Sequence, residues 1–239
     1  MFSGGSFPAD VIQMYNKDSV RDSVYRVTGI CHPPLAPVAR LGKPGGHMEI
    51  HDTMTVDAFK LLSGDENGVV SKWDIETSTQ ELNLLEHRLG VRALARVNEN
   101  TFISGSVDTS ILLWDLRAQR DSAGELQGQC DAVIKISMLD GAESLLVSAG
   151  HHTLKVWDMR MMKLLRDLDG CAPMTVLNSK KIVTVFSDSP QSLRIWSMPT
   201  FVKICDINAH QGPIKDLDAC GSLLNSIATD KCLKLWHLR

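Results

Sequence analysis

His87, Ser104, Asp108 and Trp114 recur down the chain as His210, Ser226, Asp230 and Trp236, at intervals that agree to within one residue. A histidine, a serine and an aspartate able to converge are the ingredients of nucleophilic catalysis, in which the imidazole takes the hydroxyl proton and the carboxylate orients the ring. Duplication argues against that chemistry. A turnover site needs one copy, whereas this set occurs twice and is each time tied to a tryptophan. The set also decays elsewhere, with Asn67, His151 and Pro190 standing at the aspartate position of three further units. Those units are expected to be held by packing more than by polar networks. Adjacent His151 and His152 raise metal ligation, but neighbouring side chains on a strand point to opposite faces, and no carboxylate or cysteine set accompanies them. No P-loop, H-E-x-x-H, nucleophile elbow or paired C-x-x-C is present. The expectation is a protein that is not an enzyme and carries no metal and no cofactor.

The elements that must position these residues are legible in Thr101 to Arg117, TFISGSVDTSILLWDLR. A β-rich run meets a turn at Val107-Asp108-Thr109, and a second run ends in Trp114-Asp115. This is an antiparallel hairpin. It recurs as Leu61 to Asp74, Leu145 to Asp158, Ile182 to Ser197 and Leu223 to His237. All five tryptophans lie on the frame, at 73, 114, 157, 196 and 236, in steps of 41, 43, 39 and 40 residues. A period near 40 with four strands per unit predicts an all-β fold, a propeller of four-stranded antiparallel blades. One such hairpin cannot bury its own apolar face, so neighbours must stack.

SGSVDTSILLWDLR resembles the WD-repeat family of β-propellers, clearly from Leu61 to Arg239 and weakly over the first sixty residues. The resemblance implies that His87, Ser104, Asp108 and Trp114, and likewise His210, Ser226, Asp230 and Trp236, form structural tetrads: Asp orients the imidazole, the other ring nitrogen meets Ser, and Ser meets the indole N–H. It implies a non-catalytic scaffold that binds other proteins or peptides within a complex. Trp114-Asp115-Leu116-Arg117 and Trp157-Asp158-Met159-Arg160 also resemble the mark of substrate receptors that dock onto the adaptor of cullin-RING ubiquitin ligases, through Arg117 and Arg160. The plainer reading is a solvated basic residue after the Trp-Asp pair.

One domain over 1–239 is expected, with a degenerate first blade and a Pro/Gly-rich loop in 1–60 and clear repeats in 61–239. Tyr15-Asn16 stands where other copies carry Trp-Asp, so Val11 to Asn16 is expected as a degenerate strand and Arg26 to Ile30 as an outer one. Pro37 to Leu41, behind His32, is favoured as the next inner strand, with Gly42 to Asp57 an inserted loop; the alternative opens the blade at Gly46-His47 and makes Thr53 to Val56 the inner strand. The last unit offers no fourth strand, so the ring has six or seven blades or is incomplete. The partner-binding face is expected at the turns between second and third strands and the loops before the inner strands. Its candidates are Asp65, Glu66, Arg88, Val107, His151, His152, Asp188, Gln211 and Lys231.

A net charge of -3 gives no electrostatic reason to expect nucleic acid or an anionic membrane as the main partner. No run approaches a membrane span, and MFSGGSFPADVIQ lacks the basic and apolar regions of a secretory leader. The six cysteines are scattered, which fits reduced, mostly buried thiols in the cytoplasm or nucleus.

Overall fold

The computed structural model describes residues 12–14, 39–41, 49–118, 121–139, 145–178, 180–198 and 200–237. Two short strands, β1 (Ile12–Met14) and β2 (Ala39–Leu41), pair antiparallel with each other. Five larger antiparallel sheets follow in chain order. The first blade is β3 (Ile50–Thr55), β4 (Lys60–Asp65), β5 (Val70–Asp74) and β6 (Thr79–Leu84). The second is β7 (Val91–Arg96), β8 (Thr101–Ser106), β9 (Ile111–Asp115) and the two-residue β10 (Gly124–Glu125). The third is β11 (Lys135–Leu139), β12 (Leu145–Ala149), β13 (Leu154–Asp158) and β14 (Lys163–Leu168). The fourth is β15 (Cys171–Leu177), β16 (Lys181–Phe186), β17 (Ser189–Ser197) and β18 (Lys203–Asn208). The fifth has three strands, β19 (Ile214–Cys220), β20 (Leu223–Ala228) and β21 (Leu233–His237).

The expected inner strand of the first blade needs correction. Ala39–Leu41 pairs with Ile12–Met14 and not with the first blade, whose inner strand is Ile50–Thr55, paired with Lys60–Asp65. The stretch read as an inserted loop therefore contains the strand, close to the alternative at Thr53 to Val56. Pro-rich punctuation ahead of it masked a segment whose alternating Ile50, Asp52 and Met54 fit a pleated strand. The expected strand at Arg26 to Ile30 lies outside the described residues.

Short polar side chains set the turns. Asp108 Oδ1 accepts the Ser110 N–H at 2.9 Å, Asp65 Oδ1 accepts those of Asn67 and Val69 at 2.9 Å, and Asp230 Oδ1 accepts that of Cys232 at 3.0 Å. Each aspartate thus supplies the local acceptor that a tight turn needs. The aspartates after Trp114 and Trp157 do the same at the opposite end: Asp115 Oδ1 accepts the Arg117 N–H, and Asp158 Oδ1 that of Arg160, both at 2.9 Å.

The inner strands β3, β7, β11, β15 and β19 contact one another in sequence, and the core lies between the blades. Val56, Leu62, Val91, Phe102 and Trp114 join the first to the second, and Ile103, Ile111, Val133, Ile136 and Trp157 the second to the third. Close approach there depends on a missing side chain. A Cβ on Gly105 would stand 2.4 Å from Val133 Cγ1 and 2.6 Å from Ile136 Cδ1.

The ring is not closed among the described residues. Ile111 of β9 is 0% exposed under the third blade, whereas Leu233, at the matching place in β21, is 65% exposed. Leu223, Ile227 and Leu235 share that uncovered face.

Candidate functional site

The structure brings both His–Ser–Asp–Trp sets together. In the fifth blade, His210 Nδ1 lies 2.9 Å from Asp230 Oδ2 and its Nε2 lies 2.7 Å from Ser226 Oγ, which also accepts the Trp236 indole N–H at 2.9 Å. In the second, His87 Nε2 meets Ser104 Oγ at 2.6 Å and the Trp114 indole donates to the same oxygen at 2.7 Å. There the other ring nitrogen is shared. His87 Nδ1 is 2.7 Å from Ser110 Oγ and 3.4 Å from Asp108 Oδ2, and the Ser110 hydroxyl donates to Asp108.

These serines are sealed. Ser104 and Ser226 are both 0% exposed, and each hydroxyl oxygen lies between an imidazole and an indole donor. A nucleophile needs a face open to substrate; these have none. Burial pushes the His87 pKa below its ordinary value, against the opposing pull of the Asp108 carboxylate. Burial tends to raise Asp108, but the Ser110 hydroxyl and the Arg88 and Ser110 N–H groups outweigh it and hold the carboxyl at about 2. The set is a neutral ring pinned to an ionised, fully bonded acid.

Two blades expected to rely on packing carry polar networks of other composition. In the third, the Trp157 indole donates to Ser148 Oγ at 2.8 Å, Ser148 to Gln129 Oε1 at 3.2 Å, and Gln129 Nε2 to Thr153 Oγ1 at 3.1 Å. Gln129 precedes Val133 by four residues, as His87 precedes Val91 and His210 precedes Ile214, so the signal was present in spacing although the residue type differs. The fourth blade replaces the inner chain with an outer one. Arg194 forks onto Asp206 at 2.7 and 2.9 Å, also binds Asp169, and stacks on Phe186 with its guanidinium carbon 4.0 Å from the ring centroid. Lys155 meets Asp167 at 2.7 Å from the same strand position. That position, two residues before the tryptophan, is occupied by Lys155, Arg194 and Lys234.

The turns between second and third strands and the starts of the inner strands share one face. Glu66 N donates to Glu49 O, Val107 N to Gly90 O and Thr229 N to Pro213 O, at 2.9 to 3.0 Å. Glu66, Arg88, His151, His152, Asp188, Gln211 and Lys231 are exposed there, and Val107 is half-buried. Asp65 is 5% exposed and corrects its expectation: its carboxylate faces inward to hold the turn. His152 N donates to Asp131 Oδ2 at 2.7 Å, while His151 borders the central depression. Arg117 and Arg160 lie with the opposite turns, where Leu116 N donates to Asn100 O. Arg117 is folded onto Asp115, Nη2 to Oδ2 at 2.6 Å, whereas Arg160 Nε is 3.7 Å from Asp158.

The thiols also correct an expectation, since Cys130, Cys220 and Cys232 are exposed and Cys171 alone of the five described is buried. Burial pushes the Cys171 thiol up to about 11, which leaves it inert.

Stacked four-stranded blades with indole-capped polar chains between their strands define a repeat β-propeller. Residues 78–115 match the family model "WD domain, G-beta repeat", which identifies a WD repeat in the chain. Among curated relatives, the U3 small nucleolar RNA-associated protein 15 homolog of Gallus gallus is 28% identical over 65% of this chain and 29% of its own length. Meiotic fizzy-related protein 1 of Schizosaccharomyces pombe is 25% identical over 75% of this chain and 54% of its own length, and the WD repeat-containing protein slp1 of the same organism is 23% identical over 83% and 43%. The chain spans between about a quarter and a half of these relatives. The computationally designed Ika8 protein shares the fold, with a TM-score of 0.68 at 22% identity over 82% of this chain and 61% of its own.

Proposed function

We propose that this protein is a non-catalytic scaffold that holds other proteins together within a multiprotein complex, through the face where the inner strands begin. The observation that carries the reading is the sealing of Ser104 and Ser226 beneath their tryptophans, which converts the one catalytic-looking constellation into framework. A rigid ring that presents many loops on one face builds a recognition surface without a reaction centre. Relatives named for association with a small nucleolar RNA and for WD repeats support service in assemblies, and the former favour a nuclear setting.

A second reading, a substrate receptor of a cullin-RING ligase, draws on Arg117 and Arg160, whose side chains are 70% and 59% exposed on the same face of consecutive blades. An adaptor carboxylate would have to displace Asp115 from Arg117. Affinity purification with mass spectrometry separates the two, run on the wild type and on an Arg117→Asp, Arg160→Asp variant of unchanged melt. The scaffold reading expects both baits to recover the same complex. Loss of a cullin adaptor from the variant alone would replace it with the receptor reading, and recovery of no stable partner by either bait would overturn both.

A further inference from the structure

At or just before the start of each inner strand stands an apolar residue, half-buried Ile50 or buried Val91, Val133, Cys171 or Ile214, and the residue after it borders a shared depression. In four of the five blades the register slips at that second residue: Ile50 pairs with Asp65 but Asp52 with Gly64, and Val91 with Ser106 but Ala93 with Gly105. The same one-residue slip follows Ile214, and after Cys171 two residues, Ala172 and Pro173, stand outside the register. A β-bulge re-aims the extra side chain out of the pleat. Here it aims His51, Arg92, Ala172 and Lys215 into one shared depression of about 370 Å³, which Lys135 of the third blade also lines.

The charges there leave an excess of cations, three basic side chains against the carboxylates of Asp52 and Asp216. Arg92, Lys135 and Lys215 are exposed, and none makes an ion pair with a carboxylate among the described residues. The two carboxylates in the wall are engaged by backbone: Asp52 accepts the Leu94 N–H at 2.8 Å and the Thr53 N–H at 2.9 Å, and Asp216 accepts that of Leu217 at 2.9 Å. Three cations from three different blades therefore converge on a concave site in a protein of net charge -3. Elsewhere, Lys60, Lys155 and Arg194 are each paired with aspartate. The two carboxylates offset only part of this positive charge, and a ligand anion would complete the balance.

We propose that this depression, where the inner strands begin, is the recognition site for an acidic segment of a partner protein, whose carboxylate or phosphoryl groups are received by Arg92, Lys135 and Lys215. This rests on the scaffold reading and names the chemistry of its partner. A depression of about 370 Å³ holds a few side chains of an extended peptide and is far too small to take in a duplex helix. Its polar walls suit groups that keep part of their hydration.

The test uses fluorescence polarisation of the full chain with a fluorescein-labelled twelve-residue peptide carrying four central glutamates in a Gly/Ser frame. Three further probes accompany it: the glutamine version, a phosphoserine version and a twelve-nucleotide oligo-dT. The glutamate and phosphoserine peptides should bind and weaken as salt rises, and the glutamine peptide should not. Arg92→Glu with Lys215→Glu should weaken acidic-peptide binding at least tenfold, whereas Lys163→Glu with Arg166→Glu, on the outer strand β14, should change it less than twofold. If the glutamate pair alters the melt, Arg92→Gln with Lys215→Gln serves instead, with a loss of threefold or more expected. Equal binding of the glutamine peptide, equal loss in the β14 control, or tighter binding of oligo-dT than of either acidic peptide overturns the proposal. Failure here with a complex still recovered by purification leaves the scaffold reading standing; peptide binding without any recovered complex does the reverse.

Discussion

The second and fourth blades solve one problem in two ways. Both must tie a tryptophan at the end of the third strand to the strand beside it. In the second, Ser104 accepts the Trp114 indole and His87 locks the serine in turn. In the fourth, Thr184 takes the place of the serine, but its hydroxyl is drawn to the Cys171 carbonyl at 2.6 Å, and the buried Trp196 indole N–H finds no acceptor among the described residues. The difference reaches the interblade packing. Gly105 follows Ser104, and Val133 of the next blade presses into the space that a Cβ would fill; Val185 follows Thr184 and is itself core, 2% exposed. A blade held by an internal polar chain leaves room for its neighbour, while a blade without one fills that room with its own apolar side chain.

The most damaging way to break this contrast is to exchange the two residues. Gly105→Val drives a branched side chain into Val133 and Ile136, and overpacking of that kind is expected to cost about 3 kcal/mol, read from the urea midpoint. Val185→Gly opens a cavity and weakens the strand instead, at about 2 kcal/mol. A tolerated Gly105→Val would show that the blades can slide apart freely, contrary to the close fit. Next in size is the tie itself. A double-mutant cycle of Trp114→Phe with Ser104→Ala should give a coupling of about 1 kcal/mol, as expected for a buried hydrogen bond. The matching cycle of Trp196→Phe with Thr184→Val should give almost none, because there is no bond to lose. Similar couplings in both would erase the distinction.

Much of this was legible in the chain. The tryptophan frame gave the third strands, with Leu154–Asp158 falling where expected, because Trp and β-branched residues at a fixed period leave little choice of register. The tetrads could be found because their residue types are those of a familiar chemistry. Gln129 escaped for the opposite reason: an amide can donate and accept as an imidazole does, but it carries no signature of its own. Arg92, Lys135 and Lys215 were missed as a group because they are distant in sequence and are brought to one place only by the stacking of the inner strands and, for Arg92 and Lys215, by bulges, which no local pattern announces. Ile50–Thr55 was obscured by the proline-rich stretch before it.

The smallest effect expected is on pH dependence, and it isolates the histidine of the second blade. Burial first, against the weaker pull of Asp108, lowers the His87 pKa in the folded chain below its ordinary value of 6.5. The unfolded chain then binds the proton more readily than the folded one, so stability rises with pH across that interval. His87 contributes fully above about pH 6.5, and its contribution is lost as the pH falls from there through the folded value. His87→Gln removes the titration while keeping a group that can accept from Ser104 and donate onward, as Gln129 does within the third blade. The variant should therefore melt close to the wild type at pH 7.5 and fall less steeply toward pH 5.5, by on the order of a degree or two. His51, also lowered by burial, remains in both proteins and keeps the variant's curve from becoming flat. Parallel melting curves across this range would mean that the second blade holds its histidine no differently from solvent, and the polar chain would then lose its place as the feature that distinguishes this blade from the fourth.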